Sequence, residues 1–197
     1  KRGAVEACKE AVSGAYREIY KKQGGLTTMW EKFGEFNSAD ELNRAALAQR
    51  AEGDAEAVRA LAEENGLDPE DAEDFLAGLA DFITLPFGAA VGKLEIEKAD
   101  LKLEGVLQDW VNDLADQCSE DDELTAGVRK KGKDLVGYIA LIIDYGYENR
   151  IMVDDRIVKR TKQMKQIMGS HQLTIGAEDA RTRRRLALEY YCGKKEA

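Results

Sequence analysis

Apolar residues recur at three- and four-residue spacing through most of this chain, and the densest run is LVGYIALIIDYGY at 135–147. Leu135, Ile139, Ile142 and Gly146 fall in line at helical spacing, while Val136, Tyr138, Leu141, Ile143 and Tyr145 fill most of the remaining circumference. A helix apolar nearly all round must be covered on several sides, and this one is too short and too closely flanked by charge to cross a bilayer. The pattern predicts a buried central helix with the other elements wrapped around it.

Upstream, 4–22 reads as an amphipathic helix with Val5, Cys8, Val12, Tyr16, Ile19 and Tyr20 on one side, stopped by Gly24-Gly25. Residues 27–36 hold Met29, Trp30, Phe33 and Phe36 and are expected to form a short helix whose aromatics dock on a neighbour. Ser38-Ala-Asp-Glu41 is a capping box that opens a helix through Leu42, Ala45, Ala46 and Gln49. Asp54 caps a second helix with Val58, Leu61 and Ala62, and Asp68-Pro69 opens a third whose apolar side is Phe75, Leu76 and Leu79. Short helices rich in Ala bury little area each, so 38–82 is expected to lean as a layer on the rest. The Pro86 break at 84–88 sets the expected boundary between an N-terminal acidic helical layer, 1–85, and a C-terminal helical core, 86–197.

Beyond Lys93, Leu103, Val106, Leu107, Trp110, Val111, Leu114 and Cys118 repeat at three and four, a strong amphipathic signal. A cap at 119–122 opens a short helix through Leu124 and Val128, a basic turn follows around Gly132, and Asp134 caps the central helix. A helix over 153–168 is expected to turn Ile157, Met164, Ile167 and Met168 inward. Residues 172–175 alternate like a short extended piece crossing the core, and a last helix is expected over 178–191.

Composition agrees with this reading. Only two prolines occur in 197 residues, and good helix formers dominate. The predicted fold class is all-α: a helical bundle with an acidic N-terminal helical layer and one short extended segment near 172–175. Cys8, Cys118 and Cys192 are odd in number and form no CxxC pair, so reduced thiols in a cytoplasm are expected. No secretion signal or membrane span is read, and the opening Lys1 suggests a trimmed start.

The charge changes the picture more. The net charge is −9, but residues 1–125 carry 13 basic and 29 acidic side chains, whereas 126–197 carry 16 basic and 9 acidic. Residues 35–81 alone hold 14 acidic side chains against Arg44, Arg50 and Arg59. Closely spaced carboxylates on a rigid helical scaffold can imitate a nucleic-acid backbone, and Glu63, Glu64, Asp68, Asp71 and Asp74 are the candidate partner-binding set. The opposite reading is a solubility face. Arg129, Lys130, Lys131, Lys159, Lys162, Arg183 and Arg184 are the candidate nucleic-acid-binding set, able to neutralise phosphates without reading sequence. The opposite reading is internal pairing, with Asp179–Arg183 and Arg185–Glu189 spaced for it.

Catalytic chemistry is hard to find. The single histidine, His171, beside Ser170 reads as a surface residue, because sequence neighbours rarely point at each other. With no second His and no CxxC, a zinc site is not expected. Asp121-Asp122 and Asp154-Asp155 fall where helix starts favour negative charge, and the glycines form no phosphate loop. A non-enzymatic protein without metal or cofactor is therefore expected.

Residues 93–192 resemble the PcfK-like family of small helical proteins of conjugative and phage-like mobile elements, some of which inhibit type II CRISPR effector nucleases. The resemblance rests on an order of features: the amphipathic stretch 103–118, the acidic Ser119-Glu-Asp-Asp-Glu123, the run Arg129-Lys-Lys-Gly-Lys-Asp-Leu-Val-Gly137, the Leu173-Thr-Ile-Gly176 segment, and an Arg-rich helix ending Leu-Glu-Tyr-Tyr191. The acidic N-terminal residues lie outside it. The resemblance implies an anti-CRISPR protein with a CRISPR effector nuclease as partner. A nucleic-acid-binding accessory of conjugation, and an adaptor acting through Trp30, Phe33 and Phe36, are the alternatives.

Overall fold

The computed structural model describes residues 30–168, 171–176 and 178–194. The helix expected over 4–22, with Cys8, lies outside the described residues, as does Ser170. Among the described residues the fold is all-α apart from one two-residue strand pair.

Three capped helices build the N-terminal layer. Helix α1 (Ala39–Glu52) starts at Ser38, whose Oγ accepts the Glu41 N–H at 3.1 Å, while the Glu41 carboxylate reaches back to the Asn37 N–H at 2.6 Å. Asp54 accepts the Ala57 N–H to open α2 (Ala55–Glu64), and Asp68 accepts the Glu70 N–H to open α3 (Pro69–Ala77). Each cap satisfies a backbone donor the helix cannot use itself. Leu42, Ala46, Val58, Leu61, Ala72 and Phe75 meet in one core, closed by Ile83 and by Phe36. Each fully buried Leu or Phe contributes on the order of 2 kcal/mol there.

Of the helix expected over 27–36, residues 27–29 lie outside the described residues, and 30–36 form a turn, bends and irregular chain instead of helix. Phe33 and Phe36 do pack on the N-terminal core, as aromatics near an apolar cluster should. Phe36 is buried, while Trp30 and Phe33 are half-buried.

The larger core lies beyond the break. Helix α4 (Pro86–Asp100) begins with Pro86 in its first turn, earlier than the sequence suggested. Lys102 and Gly105, both at positive φ, separate it from α5 (Val106–Glu120). Asp121, not Ser119, caps α6 (Asp122–Arg129). Asp134 caps α7 (Leu135–Glu148) by accepting the Gly137 N–H at 2.8 Å. Leu135, Tyr138, Ile139 and Ile142 of α7 join Leu94, Val111, Leu114, Leu124, Val128, Leu186 and Tyr191 in the core. The other side of α7 is open, since Ile143 and Tyr147 are exposed; the helix is covered on one face rather than all round.

The helix expected over 153–168 does not form as one element. It breaks into α8 (Asp155–Val158) and α9 (Met164–Ile167). The Thr161 hydroxyl donates to the Val158 carbonyl and accepts the Lys165 N–H, offering the backbone a local alternative to continued helix. Ile157 and Ile167, expected inside, are exposed. Strand β1 (Ile151–Met152) pairs antiparallel with β2 (Thr174–Ile175), Ile151 opposite Ile175. The extended segment thus exists, but it lies at the surface rather than across the core. Helix α10 (Ala180–Ala187) continues into a π-helical turn, Leu188–Cys192.

Candidate functional site

The five candidate carboxylates lie on or between α2 and α3, but they do different work. Asp68 is spent as the cap of α3. Glu64 is half-buried and accepts the backbone N–H groups of Lys32 at 2.9 Å and Phe33 at 3.1 Å, tying the incoming chain to α2. Glu63, Asp71 and Asp74 are exposed, and among the described residues no basic side chain lies within 4 Å of them. The ion pair described within this layer is Arg59–Glu73, and Arg59 holds the Glu73 carboxyl below the usual carboxylate range. Arg50 is engaged elsewhere, 4.1 Å above the Phe75 ring and donating to the Phe75 carbonyl at 2.6 Å.

The seven candidate basic residues separate into three environments. Arg129 is a correction: it is 1% exposed, and burial lowers the pKa of its guanidinium. Its Nη2 donates to Asn65 Oδ1 at 2.7 Å, and Trp30 lies 5.6 Å from it. The basic turn that supplies Lys130 and Lys131 to solvent sends Arg129 inward, because α6 buries Leu124, Thr125 and Val128 on the same side.

Arg183 and Arg184 are neutralised within the C-terminal body. Arg183 Nε donates to Asp113 Oδ2 at 2.9 Å and its Nη1 lies 3.6 Å from Glu178. Arg184 faces Glu120 at 3.5 Å and Asp121 at 3.6 Å. The expected Asp179–Arg183 pair does not form, because Asp179 caps α10 by accepting the Thr182 N–H at 2.7 Å, which lowers its carboxyl pKa. Arg185–Glu189 pairs at 3.6 Å as its spacing suggested. Lys159 and Lys162 stand exposed on the α8–α9 edge with Arg160 and Lys165, and no carboxylate is within 4 Å of these four among the described residues.

Between the two cores lies a buried polar junction that sequence reasoning missed. Lys93, 1% exposed on α4, donates to Glu35 Oε1 at 2.6 Å and to the Lys130 carbonyl at 2.9 Å, with Glu97 Oε1 at 3.8 Å. Glu97 in turn accepts the Leu135 N–H at 2.7 Å, and burial pushes its carboxyl up to about 7. Glu35 also accepts the Gly132 N–H at 3.1 Å. The signal was present: a Lys and a Glu four apart on a helix whose other inward residues are Ala89, Ala90, Gly92 and Leu94.

Among the described residues no three His, Cys, Asp or Glu side chains are grouped to hold a metal, and no helix is long and apolar enough to cross a membrane. His171 is exposed. Cys118 is buried, and burial pushes its thiol up to about 12, out of reach of thiolate chemistry near neutrality. Compared with protein-family models, curated proteins and solved structures, the chain matches none.

Proposed function

We propose that the protein is a non-enzymatic inhibitor of an RNA-guided CRISPR effector nuclease, acting in the bacterial cytoplasm by binding the effector and blocking DNA recognition or cleavage. One observation carries the reading. Apart from Glu73, which pairs with Arg59, the exposed carboxylates of α2 and α3 have no ion-pair partner among the described residues. A channel that holds nucleic acid is lined by Lys and Arg, and a rigid helical layer of carboxylates complements it. The family resemblance of residues 93–192 points the same way. The test is DNA cleavage by a type II effector loaded with guide RNA, in the presence of the chain or of its Glu63→Lys/Asp71→Lys/Asp74→Lys variant. Inhibition by the chain and its loss in the variant is the expected result. Equal inhibition by both removes the acidic mimic, and cleavage unaffected by either removes the inhibitor.

A second reading rests on Lys159, Arg160, Lys162 and Lys165, which stand in solvent without described carboxylate partners. A nucleic-acid-binding accessory of a conjugative element would use them on phosphates. Its complex with duplex DNA weakens as salt rises. A gel shift at low salt that disappears at high salt supports it, and no shift at low salt eliminates it.

A further inference from the structure

The segment joining the two cores exposes more apolar surface than a connector requires. Leu79, Phe82, Leu85 and Phe87 are 79%, 56%, 67% and 45% exposed within nine positions of the chain. Single exposed apolar residues are ordinary, but four this close together mark a contact surface.

The segment is held rather than loose. Asn43 of α1 is buried, and its Oδ1 accepts the N–H groups of Ile83 at 3.1 Å and Thr84 at 3.2 Å, while its Nδ2 donates to the Thr84 carbonyl at 2.9 Å. Three hydrogen bonds to one side chain fix the backbone at 83–84. Ile83 and Thr84 point inward, and the flanking Phe82 and Leu85 are left outward. At the end of α3, Gly78 at φ +73° closes the helix. The apolar residue after such a cap commonly packs back on its helix, yet Leu79 is the most exposed of the four. The apolar side chains are therefore presented on a fixed backbone, which lowers the ordering cost a partner must overcome.

Charge selects the occupant. From residue 60 to residue 92 the chain has no Lys, Arg or His; besides the engaged Glu64, Asp68 and Glu73 it carries Glu63, Glu70, Asp71, Asp74 and Asp81, against the exposed Arg44 of α1 next to Asn43. A second copy docked through the same surface would bring the same carboxylates face to face, and an anionic membrane or a nucleic acid would be repelled. We propose that the 79–87 surface docks a basic amphipathic helix of a partner protein, its apolar stripe on Phe82, Leu85 and Leu79 and its Lys or Arg residues drawn to Asp81 and the unpaired carboxylates of the preceding helices. The inference stands apart from nuclease inhibition, since it specifies the chemistry of a partner segment and is read without any nuclease.

The test uses the full chain and a fluorescent synthetic peptide with Leu and Lys at helical spacing, followed by anisotropy. Two control peptides replace Leu by Ser or Lys by Glu. Saturable binding that falls with salt, and a loss of tenfold or more with either control, is expected. The Phe82→Ser/Leu85→Ser variant should lose tenfold or more while keeping the wild-type circular dichroism and urea midpoint, because both positions are exposed. Equal affinity for this variant overturns the assignment, as does equal affinity for the Glu peptide. Concentration-dependent dimerisation abolished by the same variant would place a second copy on the surface, and capture by phosphatidylserine vesicles lost in the variant would place a membrane there. Either result replaces the proposed occupant.

Discussion

The two cores handle charge in opposite ways. In the C-terminal body, cations and carboxylates meet across elements: Arg183 with Asp113, Arg184 with Glu120 and Asp121, Lys194 with Glu123. Of the 14 carboxylates between 35 and 81, two are in described ion pairs, Glu73 with Arg59 inside the N-terminal layer and Glu35 with Lys93 at its junction. A region that folds with its charges paired gains little from an outside partner, because each pair must be broken to make a new one. A region that folds with unpaired like charges carries a mutual repulsion that a cationic partner relieves. The C-terminal arginines are thus held in intramolecular ion pairs, and the proposal that the N-terminal carboxylates meet a partner rests on this difference.

Where the two regions meet, charge is buried, and the junction is the place to break the comparison with the largest effect. Lys93→Ala leaves Glu35 and Glu97 without their cation, and a loss of about 3–5 kcal/mol is expected for an uncompensated buried pair. Urea unfolding followed by circular dichroism measures it. If the junction couples the layers, the variant unfolds in two steps where the native chain unfolds in one.

Glu97 sharpens the same point through pH. Its folded pKa, about 7, lies above the ordinary value of 4.5. Between those values the folded state binds more protons than the unfolded state. Stability from this group is therefore present at pH below 4.5 and is lost as pH rises to about 7, with a ceiling of about 3 kcal/mol. Glu97→Gln should flatten the stability profile between pH 5 and 7, since the amide oxygen still accepts the Leu135 N–H. A profile with the native slope in this variant contradicts the assignment.

A smaller effect is expected at the backbone crossing of the layers. A Cβ on Gly92 of α4 would run into the Asn65 carbonyl oxygen, and Gly66 at φ +63° faces the same spot from the α2–α3 turn. Gly92→Ala should cost about 1–3 kcal/mol, because backbone rather than a flexible side chain must give way. Smaller still, Arg183→Ala should cost about 1 kcal/mol through the lost Asp113 hydrogen bond. By contrast, Lys159→Ala and Lys162→Ala should leave the urea midpoint unchanged, since neither has a described partner.

Local rules in the sequence located much of this architecture. The caps at Ser38, Asp54, Asp68 and Asp134 depend on residues within three positions of each other, and all four helices start there. The α7 core face was legible for the same reason, as spacing alone decides it. The 153–168 segment misled because periodicity predicts a helix only when a surface exists to bury its stripe, and nothing described covers Ile157 or Ile167. The candidate sites depended on distant pairing, which spacing cannot reveal. Arg183 finds Asp113, and Lys93 finds Glu35, across 70 and 58 positions. Arg129 sits in a run of four basic residues within five positions, so nothing local distinguishes the one that turns inward.

The most direct measurement is the affinity of the full chain for a guide-loaded type II effector, by biolayer interferometry, in two matched charge variants. Glu63→Lys/Asp71→Lys/Asp74→Lys should weaken binding by a hundredfold or more, while Lys159→Glu/Lys162→Glu should leave it within about twofold. The reverse pattern, with the acidic variant binding as tightly as the native chain and the basic one failing, contradicts the claim that the N-terminal carboxylates are the binding face.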